Sequence, residues 1–175
     1  MFLKIRLFIL FLLFINLACA QKPANRPHCE DEFFDKTLST MLNFSVPIIG
    51  VKELSEHQTE YVLLDAREPK EYEVSHIKNA KNIGYDHFLL ENLQNMDKKT
   101  PIVVYCSVGY RSEKIGEKLQ SGGFTNVKNL YGSIFEWVNQ GFPVVGNDNK
   151  PILKVHTYNS LWGHWVNKKN IEKVH

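Results

Sequence analysis

Short apolar runs alternate with helical patterns through the middle of the chain. The apolar runs predict buried strands at 47–50, 61–65, 80–83, 102–105 and 127–130. Between and after them, apolar residues recur at helical spacing over 51–57, 69–74, 88–96, 112–120 and 134–139. Strands that are apolar throughout and alternate with helices favour a parallel sheet covered by helices on both faces. The predicted fold class is therefore α/β, with one domain over residues 46–146.

Two segments flank this domain. Residues 21–45 are predicted to be a linker followed by a short amphipathic helix, since Phe33, Phe34 and Leu38 recur at helical spacing. Residues 147–175 are predicted to be an irregular tail that is rich in aromatic and basic residues. The tail aromatics either pack on the domain or form a patch that stacks on a ligand. Packing is the favoured interpretation, because most aromatic side chains serve it.

The first 20 residues predict an export signal. Lys4 and Arg6 precede an apolar run, and Ala18-Cys19-Ala20 supplies the small residues of a cleavage site. The run is shorter than the roughly 20 residues that a membrane anchor needs. The protein is therefore predicted to be periplasmic or secreted. The alternative is a lipoprotein signal, in which lipidation of Cys19 would hold the protein at a membrane.

Charge argues against polyanionic partners. The formal net charge is +2, from 21 basic and 19 acidic residues. Loss of residues 1–20 removes Lys4 and Arg6 and no acid, which leaves the mature chain neutral. No general electrostatic attraction to nucleic acid or to an anionic membrane is expected.

Two cysteines remain after the predicted cleavage, Cys29 and Cys106. An oxidising compartment permits a disulfide between them, and a redox function of the pair is one open hypothesis. Spacing alone does not establish such a pairing. The pair His28-Cys29 has no partner motif, so no metal site is predicted.

Cys106 carries the strongest chemical signal. It directly follows an apolar run, and a short polar loop and a helical pattern come after it. Backbone N–H groups at a helix start and the nearby Arg111 guanidinium favour a thiolate over a thiol. Gly109 allows the loop backbone to curl, and the hydroxyls of Ser107 and Ser112 can donate hydrogen bonds.

Asp65 ends a neighbouring predicted strand. Ligand sites of parallel sheets lie beyond the carboxyl ends of the strands, so Asp65 and Cys106 are expected at the same edge. Arg67 has two possible roles there. It either contacts an anion in the same crevice, or it forms an ion pair with Asp65 or Glu68.

Three stretches carry a resemblance to a known family. Leu64-Asp65-Ala66-Arg67 with Glu71-Tyr72 and His76-Ile77 resembles its first signature, Cys106 to Ser112 its active-site loop, and Gly132, Trp137 and Gly141-Phe142-Pro143-Val144 its closing segment. The family is that of single rhodanese-like domains, in the thiosulfate sulfurtransferase-like superfamily. Ser75 and Ser133 stand where the family has glycine, which questions the local backbone geometry.

The resemblance implies a three-layer fold with a central five-stranded parallel sheet. It also implies a sulfurtransferase without cofactor or metal. Cys106 would take a sulfane sulfur from thiosulfate or a persulfide, hold it as a persulfide and pass it to a thiol or cyanide. Arg111 would orient the donor, with Ser107, Val108, Gly109, Tyr110 and Ser112 forming the loop, Arg67 as a possible second contact, Asp65 as support and His76 structural.

Two alternatives to this activity stay open. One is a binding or sulfur-carrier module of the cell envelope with little turnover of its own. The other is phosphatase or arsenate reductase chemistry, which the short loop disfavours, because Cys106 to Arg111 spans six residues and related phosphatases use a longer loop for a tetrahedral phosphate. The sequence names neither the natural donor nor a protein partner.

Overall fold

Five parallel strands form the central sheet in the computed structural model, which describes residues 22–175. The strands are β1 (Ile48–Ile49), β2 (Val62–Asp65), β3 (Lys81–Asn82), β4 (Ile102–Tyr105) and β5 (Val127–Leu130). Their order across the sheet is β1-β5-β4-β2-β3, and all four pairings are parallel. The predicted five-stranded parallel sheet is confirmed. The predicted signal peptide and Cys19 lie outside the described residues.

Helices cover both faces of this sheet, as predicted. They are α1 (Glu32–Met41), α2 (Val51–His57), α3 (Pro69–Val74), α4 (Tyr110–Ser121) and α5 (Ser133–Asn139). Successive strand residues point to opposite faces. Val103 accordingly packs in one buried cluster with residues of α1, α2 and α5, whereas Val104 packs in a second cluster with Ile115 of α4. The β4 strand, buried on both faces, thus reads as a continuous apolar run.

Two predicted helices differ from the structure. The helix predicted over 88–96 is wrong, since only one 3-10 turn forms there, at Leu90–Leu93. Leu93 is the one residue of that turn that is buried, so packing does not require a longer helix. Helix α4 begins at Tyr110 rather than Ser112, which places Tyr110 and Arg111 in its first turn.

The amphipathic helix predicted in the leader (residues 21–45) is present as α1. Asp31 caps it by accepting a hydrogen bond from the Phe34 N–H at 2.9 Å. Arg26 pairs with Asp35 of this helix and donates to the Tyr131 hydroxyl at 2.6 Å. Phe34 and Leu38 are fully buried in the core cluster. The leader is therefore an integral part of the packed domain from Arg26 onward.

The tail (residues 147–175) is not irregular, so that prediction is wrong. Strand β6 (Val144–Val145) pairs antiparallel with β7 (Pro151–Ile152), and β8 (Lys154–His156) pairs parallel with β9 (Glu172–Val174). The short helix α6 (Ser160–Gly163) lies between β8 and β9. The tail strands are two or three residues long, which is too short for a visible period of two.

Leader and tail contact each other. The rings of Phe34 and Trp165 stack with centroids 5.3 Å apart. The Asn167 amide donates to the Asp31 carboxylate at 3.1 Å. Both flanking segments therefore close over the same side of the core. Among the helices of residues 22–175, none has the length and apolar character to cross a membrane.

Candidate active site

Cys106 lies immediately after β4, at the carboxyl edge of the sheet. Its sulfur accepts a hydrogen bond from the Gly109 N–H at 3.1 Å. The residue is 1% exposed, yet it lines an open cleft. Its own N–H donates to the Ser133 hydroxyl at 3.1 Å, and its carbonyl accepts from the Ile134 N–H at 3.2 Å. Hydrogen bonds that join the backbone N–H and carbonyl of Cys106 to the start of α5 thus fix the position of the nucleophile.

The loop after Cys106 depends on Gly109. This residue has φ +119° and precedes helix α4 as its N-cap, a conformation that side chains with a Cβ rarely adopt. The Gly109 carbonyl accepts from the Asn129 amide at 2.9 Å. Asn129 is fully buried on β5, and sequence reasoning missed its role in holding the loop. The available signal was an asparagine inside a predicted buried strand.

The Ser112 hydroxyl lies near three acceptors. These are Asn129 Oδ1 at 2.7 Å, the Gly109 carbonyl at 3.1 Å and the Cys106 sulfur at 3.5 Å. A hydroxyl has one proton to donate, and the nearest acceptor is Asn129. The Gly109 N–H is therefore the firmer hydrogen-bond donor to the sulfur.

Arg111 is paired with Glu71, a buried residue of α3. The two guanidinium nitrogens lie 2.7 and 2.8 Å from the Glu71 carboxylate oxygens. Arg111 also donates to the Ser107 hydroxyl at 3.0 Å. Glu71 is fully buried, and sequence reasoning gave it no role in the site. Arg111 thus faces two groups at once, this carboxylate and the Cys106 sulfur.

The pKa of Cys106 lies below the ordinary thiol value. Burial raises this pKa, but the Arg111 charge and hydrogen bonds from Ser112 and Gly109 outweigh the effect of burial. The pKa of Glu71 is also lowered, because the Arg111 pair outweighs the burial that raises it. A larger thiolate fraction at neutral pH follows, and the thiolate is the nucleophile.

Arg67 does not contact the cleft. It is fully buried, and its guanidinium donates to Asp65 at 2.6 Å and to the Ser75 carbonyl at 2.7 Å. The possible role of Arg67 as a second anion contact is therefore corrected to an ion pair with Asp65. The guanidinium cannot reach a ligand because the neighbouring backbone and the Asp65 carboxylate enclose it. Asp65 supports this buried pair.

The two departures from the family glycines keep a compatible backbone. Ser75 is extended, with φ −170°, a conformation open to any residue. Ser133 retains the left-handed conformation, with φ +51°. Its hydroxyl bridges the Cys106 N–H and the Leu130 carbonyl, which lies 3.1 Å away. The strain at Ser133 is thus offset by two hydrogen bonds that glycine would lack.

The cleft at Cys106 has a volume of about 330 Å³. The lining residues include four from the loop, namely Ser107, Val108, Tyr110 and Arg111. The structure also brings Met41 of the leader and Tyr158 and Trp162 of the tail to the same cleft. We predicted that the tail aromatics pack on the domain. Trp162 does so, and both aromatics also face the cleft.

Cys29 lies apart from this site. Both cysteines among residues 22–175 are free thiols, and they belong to different core clusters on the two faces of the sheet. Burial, followed by the charges of Glu136 and Asp35, raises the pKa of Cys29. The hypothesis of a redox pair with Cys106 has no support from this placement. No cluster of three potential metal ligands occurs in the described part of the chain.

The family is established by comparison with known proteins. The family model of the rhodanese-like domain matches residues 50–140, just over half of the chain. The chain therefore belongs to the rhodanese-like domain family. The matched residues include β2, the Cys106 loop and most of the core. They exclude the whole tail and α1.

Several relatives carry named activities. The chain is 36% identical over 94 residues to the tRNA uridine(34) hydroxylase of Erwinia tasmaniensis, covering 49% of this chain and 27% of that protein. It is 30% identical over 100 residues to the thiosulfate:glutathione sulfurtransferase of Saccharomyces cerevisiae, covering 50% of this chain and 72% of that enzyme. Because the chain spans only 27% of the Erwinia protein, that protein's activity does not transfer to it.

A solved structure supports the fold. The crystal structure of the BH2092 protein from Bacillus halodurans aligns with a TM-score of 0.54 at 23% identity. The alignment covers 58% of this chain and 77% of that one. At this identity the likeness establishes the fold and not the activity.

Proposed function

We propose that this protein is a sulfurtransferase that carries a sulfane sulfur on Cys106. The observation that carries the proposal is the position of the Cys106 sulfur. The sulfur accepts a hydrogen bond from the Gly109 N–H, and the charge of Arg111 lowers the pKa of the thiol. Cys106 also lines the cleft. Membership of the rhodanese-like family and the likeness to a yeast sulfurtransferase support the same chemistry.

The proposed reaction has two steps. The Cys106 thiolate attacks the sulfane sulfur of the donor, so that a new S–S bond forms and the old one breaks. With thiosulfate, sulfite leaves with the electron pair of the broken bond. A thiolate or cyanide then attacks the outer sulfur of the persulfide, and Cys106 leaves as a thiolate. The route is covalent catalysis, which divides one transfer into two displacements.

The loop suits the persulfide that this reaction requires. The Gly109 N–H already points at sulfur, and the positive φ of this residue holds it there. Of the five N–H donors of a guanidinium, Arg111 uses three within the described chain. The remaining two are available to the anionic end of a donor.

Intact mass spectrometry tests the proposal. Incubation with thiosulfate or an organic persulfide is expected to add one sulfur atom to the protein, and Cys106→Ser is expected to abolish the gain. Steady thiocyanate production from cyanide separates turnover from sulfur carriage. A protein that gains no sulfur from any sulfane donor would contradict the proposal.

We also propose that residues 1–20 direct export, with cleavage after Ala20. The pattern of charged, apolar and small residues supports this proposal. The mass of the mature protein recovered from a producing bacterium tests it. A chain beginning at Gln21 in the periplasm or medium is expected. A diacylglycerol on Cys19 would instead establish the lipoprotein form, and an uncut cytoplasmic chain would contradict both.

A further inference from the structure

One wall of the cleft comes from outside the family match. Met41 ends helix α1, and Tyr158 and Trp162 belong to the tail, whereas the matched residues are 50–140. Together with Tyr85 and Tyr110, these side chains make the cleft largely apolar and aromatic. The reactive loop and this wall are therefore supplied by different stretches of the chain.

Tyr158 is held in place at an energetic cost. It has φ +66°, which is a genuine outlier for a bulky residue, and its side chain is nevertheless 55% exposed. Its N–H donates to the buried His156 ring at 3.0 Å, which fixes the turn. Its ring centroid lies 5.7 Å from the Arg111 guanidinium carbon. Strain of this kind persists where the surroundings enforce it, and it clusters at ligand sites.

The charges at the cleft disfavour a small dianion. Arg111 is the one cation that lines the cleft among residues 22–175, and Glu71 already pairs with it. Glu68 and Asp86 also line the cleft. Three formal negative charges thus face one positive charge. A doubly charged donor meets more repulsion here than a singly charged one.

The cleft is also larger than an inorganic donor needs. Thiosulfate has five heavy atoms, and five waters at about 30 Å³ each would fill roughly 150 Å³. The cleft offers about 330 Å³. The remaining space borders the aromatic wall, where burial of an apolar group is favourable.

We propose that the preferred donor is a singly charged organic sulfane-sulfur compound, whose apolar or aromatic group packs on the wall formed by Met41, Tyr158 and Trp162. This inference rests on the proposed function, because it concerns the first displacement at Cys106. The organic group contacts the wall while the sulfane sulfur meets the thiolate. The bond that breaks joins that sulfur to the organic fragment, which leaves with the electron pair.

Two thiosulfonates provide a matched pair of probes. Benzenethiosulfonate and methanethiosulfonate carry the same charge and the same reactive linkage, and they release a sulfinate when the thiolate takes their sulfur. The rate of sulfur gain by the full mature chain is measured by rapid quench and intact mass. Dividing the ratio of the two rates by that for a small free thiol removes intrinsic reactivity. A preference of at least about tenfold for the benzene compound is expected.

Substitutions in the wall then assign the preference. Tyr158→Ala is expected to reduce it at least about threefold, the range of one aromatic contact, and Tyr158→Phe to keep it. Leu161→Ala is the matched control, because Leu161 is 78% exposed in the same segment and does not line the cleft. Met41→Ala provides a second wall variant from the leader. Circular dichroism checks that each variant is folded.

The outcomes separate this inference from the proposed function. If no donor places sulfur on Cys106, the proposed function itself fails. If all donors place sulfur on Cys106, the corrected rate ratio of the two thiosulfonates decides. A ratio near one, or a ratio that is unchanged in Tyr158→Ala and Met41→Ala, would show that the wall does not select the donor. A loss of preference in Leu161→Ala equal to that in Tyr158→Ala would also overturn the inference. Faster reaction with thiosulfate than with benzenethiosulfonate would do the same.

Discussion

Arg111 links the reactive thiol to a buried acid. Its side chain pairs with Glu71 at 2.7 Å and lowers the pKa of Cys106 through its charge. The Glu71 carboxylate also accepts the Glu68 N–H at 3.0 Å, as part of the capping box of α3. The Glu71 carboxylate therefore caps the start of α3 and also fixes the Arg111 guanidinium, which lowers the pKa of Cys106.

Replacing Arg111 with glutamine is expected to raise the pKa of Cys106, because the opposite charge near the sulfur is lost. The alkylation rate of Cys106 by iodoacetamide, followed in its own peptide across pH, reports this shift. At neutral pH the rate is expected to fall several-fold, since less thiolate is present. Arg111→Lys retains the charge and is expected to shift the profile less.

Lys114→Gln is the control for this prediction. Lys114 lies on the same helix and pairs with Glu117 at 2.7 Å, away from the residues of the cleft. Its removal is expected to leave the profile in place. An equal shift in both variants would mean that the overall charge of α4, and not Arg111, sets the reactivity of the thiol.

Single residues differ in how far the sequence predicts them. The positions of Cys106 and Gly109 follow from a strand that meets a helix start across a short loop. Glu71 was not predicted, because an acid three residues after an N-cap has the same pattern whether or not it also pairs across the fold. Arg67 had two interpretations for the same reason. Only the tertiary structure, which encloses its guanidinium beside Asp65, separates them.

At the scale of elements, the leader helix α1 is held by one charged cluster. Arg26 pairs with Asp35, which also accepts the Cys29 N–H at 3.0 Å. Burial raises the pKa of Asp35, but the hydrogen bonds and charge of Arg26 and the Cys29 N–H bring it well below its ordinary value. The carboxylate therefore stabilises the folded state fully above its ordinary pKa, near 4, and loses this contribution as the pH falls through the lowered value.

Asp35→Asn is expected to lower the free energy of unfolding by about 1–3 kcal/mol at neutral pH, because charged hydrogen bonds to Arg26 are lost. Urea unfolding at several pH values measures the difference between the two proteins. The difference is expected to narrow as the pH falls below about 4, since only the native residue titrates there. Glu32→Gln, an exposed change on the same helix, is expected to stay within about 0.5 kcal/mol. A difference that is independent of pH would contradict the role of the charge.

Elements with an apolar run or a regular apolar face were predictable, and the strands of the tail were not. The strands β1, β2 and β4 are apolar for most of their length, and α1 has a regular apolar face. The segment 88–96 has similar spacing but forms only the turn Leu90–Leu93. Most of its apolar side chains are only partly buried against one cluster, so burial does little to stabilise a longer helix. The tail strands depend on partners that are distant in sequence, such as Val155 with Lys173.

At the scale of the whole molecule, the flanking segments and the family domain share one core. Phe34 of the leader and Val155 of the tail are both fully buried in the cluster that contains Trp137 and Val103. The Phe34–Trp165 stack joins the two flanks directly. A protein whose flanks and family domain share a buried cluster in this way is expected to unfold in a single cooperative transition.

A double-mutant cycle tests this joining. Phe34→Leu and Trp165→Leu, made singly and together, are expected to give a coupling free energy of about 0.5–1.5 kcal/mol in urea unfolding. In the control cycle, Phe33→Leu takes the place of Phe34→Leu, because Phe33 is 77% exposed. Its coupling with Trp165 is expected to be near zero. Equal coupling in both cycles, or none in either, would show that the flanks do not stabilise each other through this stack.

The contact between leader and tail also has a mechanical consequence. A force that pulls Lys22 and His175 apart is expected to act first on the leader–tail contacts and on the pairing of β9 with β8. The parallel strands of the central sheet are loaded only afterwards. Under tension the cleft would therefore lose Tyr158 and Met41 while the loop around Cys106 still holds its shape. The wall would be disrupted at a lower force than the loop that holds the nucleophile.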